Sequence, residues 1–529
     1  MKQFSVTTLL GLGLAAASLV VSVAPSLAAQ AGGSLVVAIA AEPRSVNPAI
    51  TTSAPDQLVG CSIYEGLTKV AGNGEIVPLL AKSWTISDDG KTYTFKLKDA
   101  EWHDGQKFTS ADVQFSLTQV NAKMTPAFAS GAGKALESVD APMPDEVVLH
   151  LKKPFGPMLR SLACLQGGAI LPKHVFEGHD IMTSEATTSA PVGTGPFKLG
   201  EWQRGEYIRL VKNDKYWDAG KPYLDEVIVR PIPQASSRTQ ALQAGEVDLI
   251  PYFYLASNDI AVLRKDSRLT VTPAKLPPSQ DMLFFNLRKD FLKDKRVRQA
   301  LMMATDRQFI LKNGWLGFGD IGDTPFARQL DWAVDPALSY AKLYPFDVAK
   351  ANALLDEAGY KRNSNGIRFD FSLVFVSDEV DFPRVALAIK QMWSAVGVNV
   401  ILGGFDRPTA EKRVFTDVDF DGHLNGYTSF GDPALGLARI WVSSAIGRPY
   451  GNPSGYSNPA VDAAFAEGES RTLPAERGEI YKSVQKTLAD ELPVLTIHER
   501  TAFDAYVSRL KGLDNDSFLP TFADAWLEQ

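Results

Sequence analysis

Apolar and polar positions alternate with two different periods along this chain, and the two take turns. A period of two marks strands, and a period near 3.6 marks helices. The segment SLVVAIAAEPRSVNP starts as a short apolar strand and passes into a Pro-broken loop, after which PDQLVGCSIYEGL has the spacing of a helix. In TISDDGKTYTFKLKD, Tyr93, Phe95 and Leu97 alternate with polar residues behind Asp89-Gly90, the pattern of a hairpin and its turn. FTSADVQFSLTQV predicts a helix capped by Thr109 or Ser110, with Asp112 in its first turn. DEVVLHLKKP is a strand, and GTGPFKLGEWQRGEYIRLVKN is a pair of strands joined at Arg204-Gly205. EVIVRPIP adds another strand, and SRTQALQAGEVDLIP gives a helix, a Gly turn and a strand.

The second half repeats the alternation. KDKRVRQALMMATDRQFIL predicts one amphipathic helix and PFDVAKANALLDEAGY another that stops at Gly359, while earlier in the chain PMLRSLACL predicts a helix carrying Cys164. FDFSLVFVS, RVALAIKQMWSAVG and VNVILGGF predict strand, helix and strand; VDAAFAEGES and RGEIYKSVQKTLADEL precede a last strand, PVLTIHE. Strands and helices without a fixed repeat length argue for α/β lobes rather than a solenoid. No Ser/Gly linker separates independent domains, so lobes that share strands by chain crossover are expected.

At 529 residues, the chain holds two or three domains or lobes. Its 45% hydrophobic and 22% charged residues exclude disorder, collagen and coiled coil. A formal net charge of −7 gives no broad field for nucleic acid or anionic lipid, so neither is expected as a partner.

The first residues change the picture most. Lys2 is the only charge before Glu42, an apolar stretch runs from about Leu9 to Ala24, and Ser26-Leu27-Ala28 follows Pro25. That is the layout of a secretory leader, residues 1–28, cleaved near Ala28. A membrane anchor is disfavoured, because a spanning helix needs about 20 apolar residues. Neither cysteine lies near the cleavage point, so no lipid-anchoring cysteine is present and a periplasmic location fits. In that oxidising compartment Cys61 and Cys164 are candidates for a disulfide, though the sequence leaves open whether they approach.

Catalytic and cofactor patterns mostly fail. No GxSxG is present, and His498-Glu499 lacks the second histidine of a zinc helix. GFGDIG at Gly317 lacks a preceding strand and is expected to be a loop. DVDFDG at Asp417 matches the first half of a calcium loop, but Thr428 stands where the bidentate Glu belongs. Val418 and Phe420 alternate with these acids and suggest a half-buried strand instead. No cofactor, metal or catalytic set is expected.

Longer segments resemble a known family. YEGLTKVAGNGEIVPLLAKSWTISDDGKTYTFKLKDAEWHDGQKFTSADVQFSL, residues 64–117, is similar to the signature region of family 5 solute-binding proteins, the extracytoplasmic receptors of peptide- and nickel-type ABC importers. The likeness continues through GTGPFKLGEW, KNDKYW, ALQAGEVDLIP, FFNLRKDFLKDKRVRQALMMATDR, GYSNPAVDAAF and YKSVQKTLADELPVL. Most signature residues, Trp84 and Trp102 among them, have a plain role as apolar faces and turns.

The resemblance implies a two-lobed, Venus-flytrap binding protein of α/β class with an additional domain inserted in lobe one. Lobe one would comprise 30–65, 193–283 and 499–529; the inserted domain 66–192; lobe two 284–498, with crossings near 284 and 498. It implies a monomer that works with membrane permease subunits. It also implies ligand contacts at Ala54–Gln57, with Asp56 and Gln57; at Phe405; and in the loop holding Asn425, Tyr427, Ser429, Phe430 and Asp432. Peptide-binding members carry an acid three residues before the Asp-Pro pair, where it holds the α-ammonium; this chain has Ser429. Either Asp432 or Asp56 takes that role, or the ligand has no free α-amine. Peptides, sugar-containing or opine-like solutes and nickel chelates stay open. His498 and Glu499, beside the expected hinge, either bind a polyol or ammonium group or form a hinge hydrogen-bond pair. Arg439 either meets a ligand carboxylate or packs locally. The rival readings are a secreted peptidase or glycosidase, and a receptor without a transport role.

Overall fold

A computed structural model describes residues 31–51, 53–377, 379, 381–448, 450–513 and 519–528. The secretory leader expected over residues 1–28 lies outside the described residues.

Three sheets carry the architecture. A seven-stranded sheet is assembled from distant parts of the chain, with Ser34–Ile39 near its centre. That strand runs parallel to Glu226–Pro231 on one side and to Leu249–Ile250 on the other. The chain's last third returns to this sheet through Phe503–Val507, which lies between Leu249–Ile250 and Leu269–Pro273. A six-stranded sheet built from residues 279–499, with the short strand Asp320–Ile321 at one edge, centres on Ser279–Phe285 and Val494–Glu499. Parallel strands Phe369–Val376 and Val398–Phe405 sit at its other edge, joined by helix Phe382–Ser394. A four-stranded antiparallel sheet over residues 81–151 forms the third unit. Each sheet buries its own apolar core. The fold is the two-lobed type with an additional inserted unit.

Local chemistry explains most elements. Thr109 and Asp112 form a reciprocal capping box before helix Ser110–Phe115. Gly245 ends helix Ala235–Ala244 at φ 76°, a left-handed residue that glycine adopts without Cβ strain. The structure corrects three element readings. The single helix expected over 293–311 is two, Lys295–Met303 and Arg307–Gly314, because the Asp306 side chain accepts the Phe309 N–H and starts a second helix. PMLRSLACL is only a turn of helix, Met158–Ser161, followed by a tight turn at Cys164–Gln166. Residues 417–421 are not a strand: Val418 sits at φ 54°, and Lys412 and Arg413 pair with Asp417 and Asp419.

The crossings lie in short segments. Leu269–Pro273 pairs in the seven-stranded sheet and Ser279–Phe285 in the six-stranded one, so the chain first passes between them at 274–278. The second falls at 500–502, between Val494–Glu499 and Phe503–Val507.

Candidate functional site

Where the three units meet, a cavity of about 610 Å³ opens. That is the scale of a small-molecule pocket, roughly 300–1,000 Å³. One wall comes from the seven-stranded unit: Tyr64 and Glu65 just past helix Ala54–Ile63, and Tyr216 and Trp217 past strand Tyr207–Lys212. The inserted unit supplies Lys98 and Arg160, and the six-stranded unit supplies Asp331, Trp332 and Phe430. The first crossing lines the cavity with Leu276, Pro277 and Pro278.

The polar groups of this cavity are held firmly. Glu65 accepts from Thr194 Oγ1 at 2.9 Å, Tyr216 Oη at 2.7 Å and Trp217 Nε1 at 2.9 Å. Burial pushes its carboxyl up to about 7, against those bonds and the nearby Lys98 charge. Lys98 lies 3.6 Å from the centre of the Trp217 ring. Lys221 pairs with Asp524 at 2.7 Å and Asp218 at 3.0 Å. Phe430 presents its ring from φ 54°, an uncommon backbone state for a bulky residue.

A second cavity, about 340 Å³, lies by the crossings between Phe253 and Phe503 on one side and Phe382, Trp315 and His498 on the other. Here a chain of groups, with Asp281 and His498 buried and Arg500 partly exposed, spans the second crossing. Arg500 Nε donates to Asp281 Oδ1 at 2.7 Å, and Asp281 Oδ2 meets His498 Nδ1 at 2.8 Å. His498 Nε2 meets the Phe318 carbonyl at 2.9 Å, and its ring stacks on Trp315 at 4.1 Å. Burial pushes the Asp281 carboxyl up, but Arg500 and His498 more than offset that and hold it below the usual range.

The residues expected from sequence are dispersed. Phe430 lines the larger cavity and His498 the smaller. Asp56, in the first turn of helix Ala54–Ile63, is spent on the preceding loop, accepting from the Arg44 N–H at 2.7 Å and Thr51 Oγ1 at 3.0 Å; Gln57 is buried in the same helix. Ser429 Oγ donates to the Pro278 carbonyl at 3.0 Å, which ties its loop to the first crossing. Asp432 is gripped by Arg477. Asn425 accepts the Gly426 N–H through Oδ1, and Tyr427 is buried, with Oη donating to the Tyr450 carbonyl at 3.3 Å. The Arg413 guanidinium lies 4.6 Å from the Phe405 ring centre, and Arg439 lies 5.2 Å from that of Tyr427. Glu499 is buried beside the second crossing and accepts the Arg328 N–H at 3.0 Å. Cys61 and Cys164 are joined in a disulfide, with Cα atoms 6.0 Å apart, and both line the larger cavity.

Glu65, Lys98, Arg160, Trp217 and Trp332 escaped the sequence reading. Glu65 and Trp217 stand in YEGL and KNDKYW, and Lys98 in TYTFKLKD. Each of those segments has a sufficient explanation as fold-building sequence. Arg160 sits four residues before Cys164, in a segment read for its cysteine alone.

Comparison with known proteins bears on the same geometry. Residues 75–447 match the family model described as bacterial extracellular solute-binding proteins, family 5 middle. A putative ABC transporter peptide-binding protein of Brucella ovis is 30% identical over 450 residues, covering 83% of this chain and 81% of the relative. Oligopeptide-binding protein AppA of Bacillus subtilis is 28% identical over 497 residues, covering 91% and 89%. The structure of the periplasmic binding protein DppA from Helicobacter pylori with the peptide STSA matches with a TM-score of 0.77 at 26% identity, covering 94% of this chain and 99% of that one.

Proposed function

The chain belongs to the bacterial extracellular solute-binding proteins of family 5 and is a substrate-binding component of an ABC transporter; from that premise we propose that its solute sits in the 610 Å³ cavity where the three units meet. The observation that carries this reading is the make-up of the walls. Aromatic faces from separate units, Trp217 and Trp332, face one space together with charged groups from all three. Enclosure of a polar solute needs that combination.

In this reading the residues 274–278 and 500–502 flex, and solute binding shifts the population toward the closed form that the permease recognises. The lobes divide at those crossings, and the inserted unit takes roughly 66–192. The solute is a peptide or a peptide-sized modified molecule, in keeping with the names of the Brucella and Bacillus relatives. Asp56 and Asp432 are already committed, so an ammonium group would have to look elsewhere. Asp331, exposed on the cavity wall, is the carboxylate that suits it. The protein acts as a monomer in the periplasm after loss of residues 1–28. It is no enzyme: the solute leaves unchanged.

Mass spectrometry of solute released by gentle denaturation tests the reading, together with scattering before and after reloading. A released small solute, and a radius of gyration that falls on reloading, support it. A fixed radius with verified solute bound, or sustained product formation from a peptide or glycoside panel, overturns it.

A further inference from the structure

Four cations line the larger cavity, and they divide into two kinds. Lys221 is neutralised by Asp524 and Asp218, and Lys69 lies 4.0 Å from Asp524. Arg160 and Lys98 have no carboxylate within ion-pair distance among the described residues. The Arg160 guanidinium donates to the Gly74 carbonyl at 2.8 Å and packs against Gly431, where a Cβ would fall 2.8 Å from its Nη1. The nearby carboxylate, Asp432, has both oxygens on Arg477. Lys98 rests on the Trp217 ring. Its nearby acids are engaged elsewhere: Asp218 with Lys221, and Glu65 with three neutral donors.

Both cations are partly desolvated. Burial lowers Arg160 and Lys98 below their ordinary ranges, and acids at a distance only partly oppose it. A desolvated cation without a counter-charge is costly unless something supplies the missing anion. A guanidinium fork is suited to a two-oxygen acceptor, and an ammonium to any oxyanion.

We propose that the solute carries an oxyanion, carboxylate or phosphate, received in this cavity by Arg160 and Lys98. The proposal rests on the reading of the cavity as the solute site. It narrows that reading: neutral sugars and purely cationic solutes are poor guests, whereas acidic or zwitterionic ones fit. Arg160 also touches Gly431 of the six-stranded unit while belonging to the inserted unit. An anion bound there would be shared across the gap.

The probe is the dialysable fraction of yeast extract in three forms: untreated, methyl-esterified to neutralise carboxylates, and phosphatase-treated. Solute-stripped protein is equilibrated with each, and retained small molecules are counted by mass spectrometry. Retention from the untreated fraction that is lost after esterification assigns a carboxylate; loss after phosphatase assigns a phosphate. Retention equal from all three forms overturns the proposal while leaving the receptor reading intact. No retention from the untreated fraction overturns the receptor reading beneath it, and the proposal with it. Arg160→Gln and Lys98→Gln should each lower retention roughly tenfold, the loss of one charged hydrogen bond, and weaken its salt dependence. Two variants allow for one failing to fold. Unchanged retention in a folded variant overturns the role of that residue, and unchanged retention in both overturns the proposal.

Discussion

Arg477 holds Asp432 by both carboxylate oxygens, Nη1 to Oδ2 and Nη2 to Oδ1, each at 2.6 Å, and both side chains are buried. Asp432 Oδ1 also accepts the Ala434 N–H at the start of helix Pro433–Gly436. The carboxylate that the Asp-Pro motif offers to a ligand amine is therefore part of the frame. Burial lowers the guanidinium, but Asp432 more than offsets it and holds Arg477 above its ordinary range.

Breaking that pair should cost stability before it costs binding. Asp432→Ala leaves Arg477 buried without a counter-ion, a loss of about 3–5 kcal/mol. Urea unfolding measures it. Asp432→Leu combined with Arg477→Met should recover most of the loss, since a well-packed apolar pair has no charge to desolvate. If Asp432→Ala kept full stability and lost only solute affinity, the residue would be a ligand contact after all.

Glu499 predicts a pH dependence of stability. Its Oε1 is buried without a hydrogen-bond partner among the described residues, and burial pushes the carboxyl from 4.5 up to about 7, only partly opposed by the Arg328 N–H. The folded state therefore binds more protons than the unfolded state between those values. Stability is highest below the unfolded value, declines as pH rises toward about 7, and is flat above it. Glu65, with the same direction, adds to the slope. Glu499→Gln stays neutral throughout, so its stability difference between pH 5 and pH 8 should be smaller than that of the wild type by about 2 kcal/mol. Equal slopes for the two proteins would mean that Glu499 is ionised in the folded state.

Periodicity made the sheets legible in sequence: Tyr93, Phe95 and Leu97 alternate, and all three are buried in the inserted unit. Glycines at 245 and 359 marked helix ends that the structure places at positive φ. Asp306 was harder, because a side-chain cap inside an apolar-periodic run changes no period and only local hydrogen bonding reveals the break. The site was harder still. Arg160 and Trp217 stand 57 residues apart and Trp332 is on another sheet's unit, so only tertiary crossover brings them to one cavity. The Asp432 pairing was hidden for a related reason: nothing near it in sequence shows that Arg477 will reach it.

The Cys61–Cys164 disulfide closes a loop with a sequence separation of 103 residues and ties helix Ala54–Ile63 to the turn Cys164–Gln166 at the cavity wall. A loop of that length predicts about 4–5 kcal/mol of stabilisation through the unfolded chain. Cys61→Ser with Cys164→Ser should lower unfolding free energy by that order in non-reducing urea. Wild type under reductant should follow the double variant. Coincident curves for all samples would mean that the bond does not form in solution.

Phe430 should separate binding from stability. Its φ of 54° is a conformation in which a bulky residue is strained and glycine is not, while its ring lines the cavity. Phe430→Gly removes the strain and the ring together, so two opposing effects act on folding. The ring is only partly buried, so its lost packing is worth about 1–2 kcal/mol, and the relief of backbone strain returns about 1 kcal/mol. Net stability should therefore move by less than about 1 kcal/mol in urea. Retention of the yeast-extract solute, by contrast, should fall roughly tenfold, because an aromatic face closing a pocket contributes on the order of 1.4 kcal/mol to binding. Phe430→Ala is the informative partner: it loses the ring but keeps the strained backbone, so it should bind as weakly as the glycine variant and fold less stably. A glycine variant that retained solute like the wild type would place the solute away from this wall.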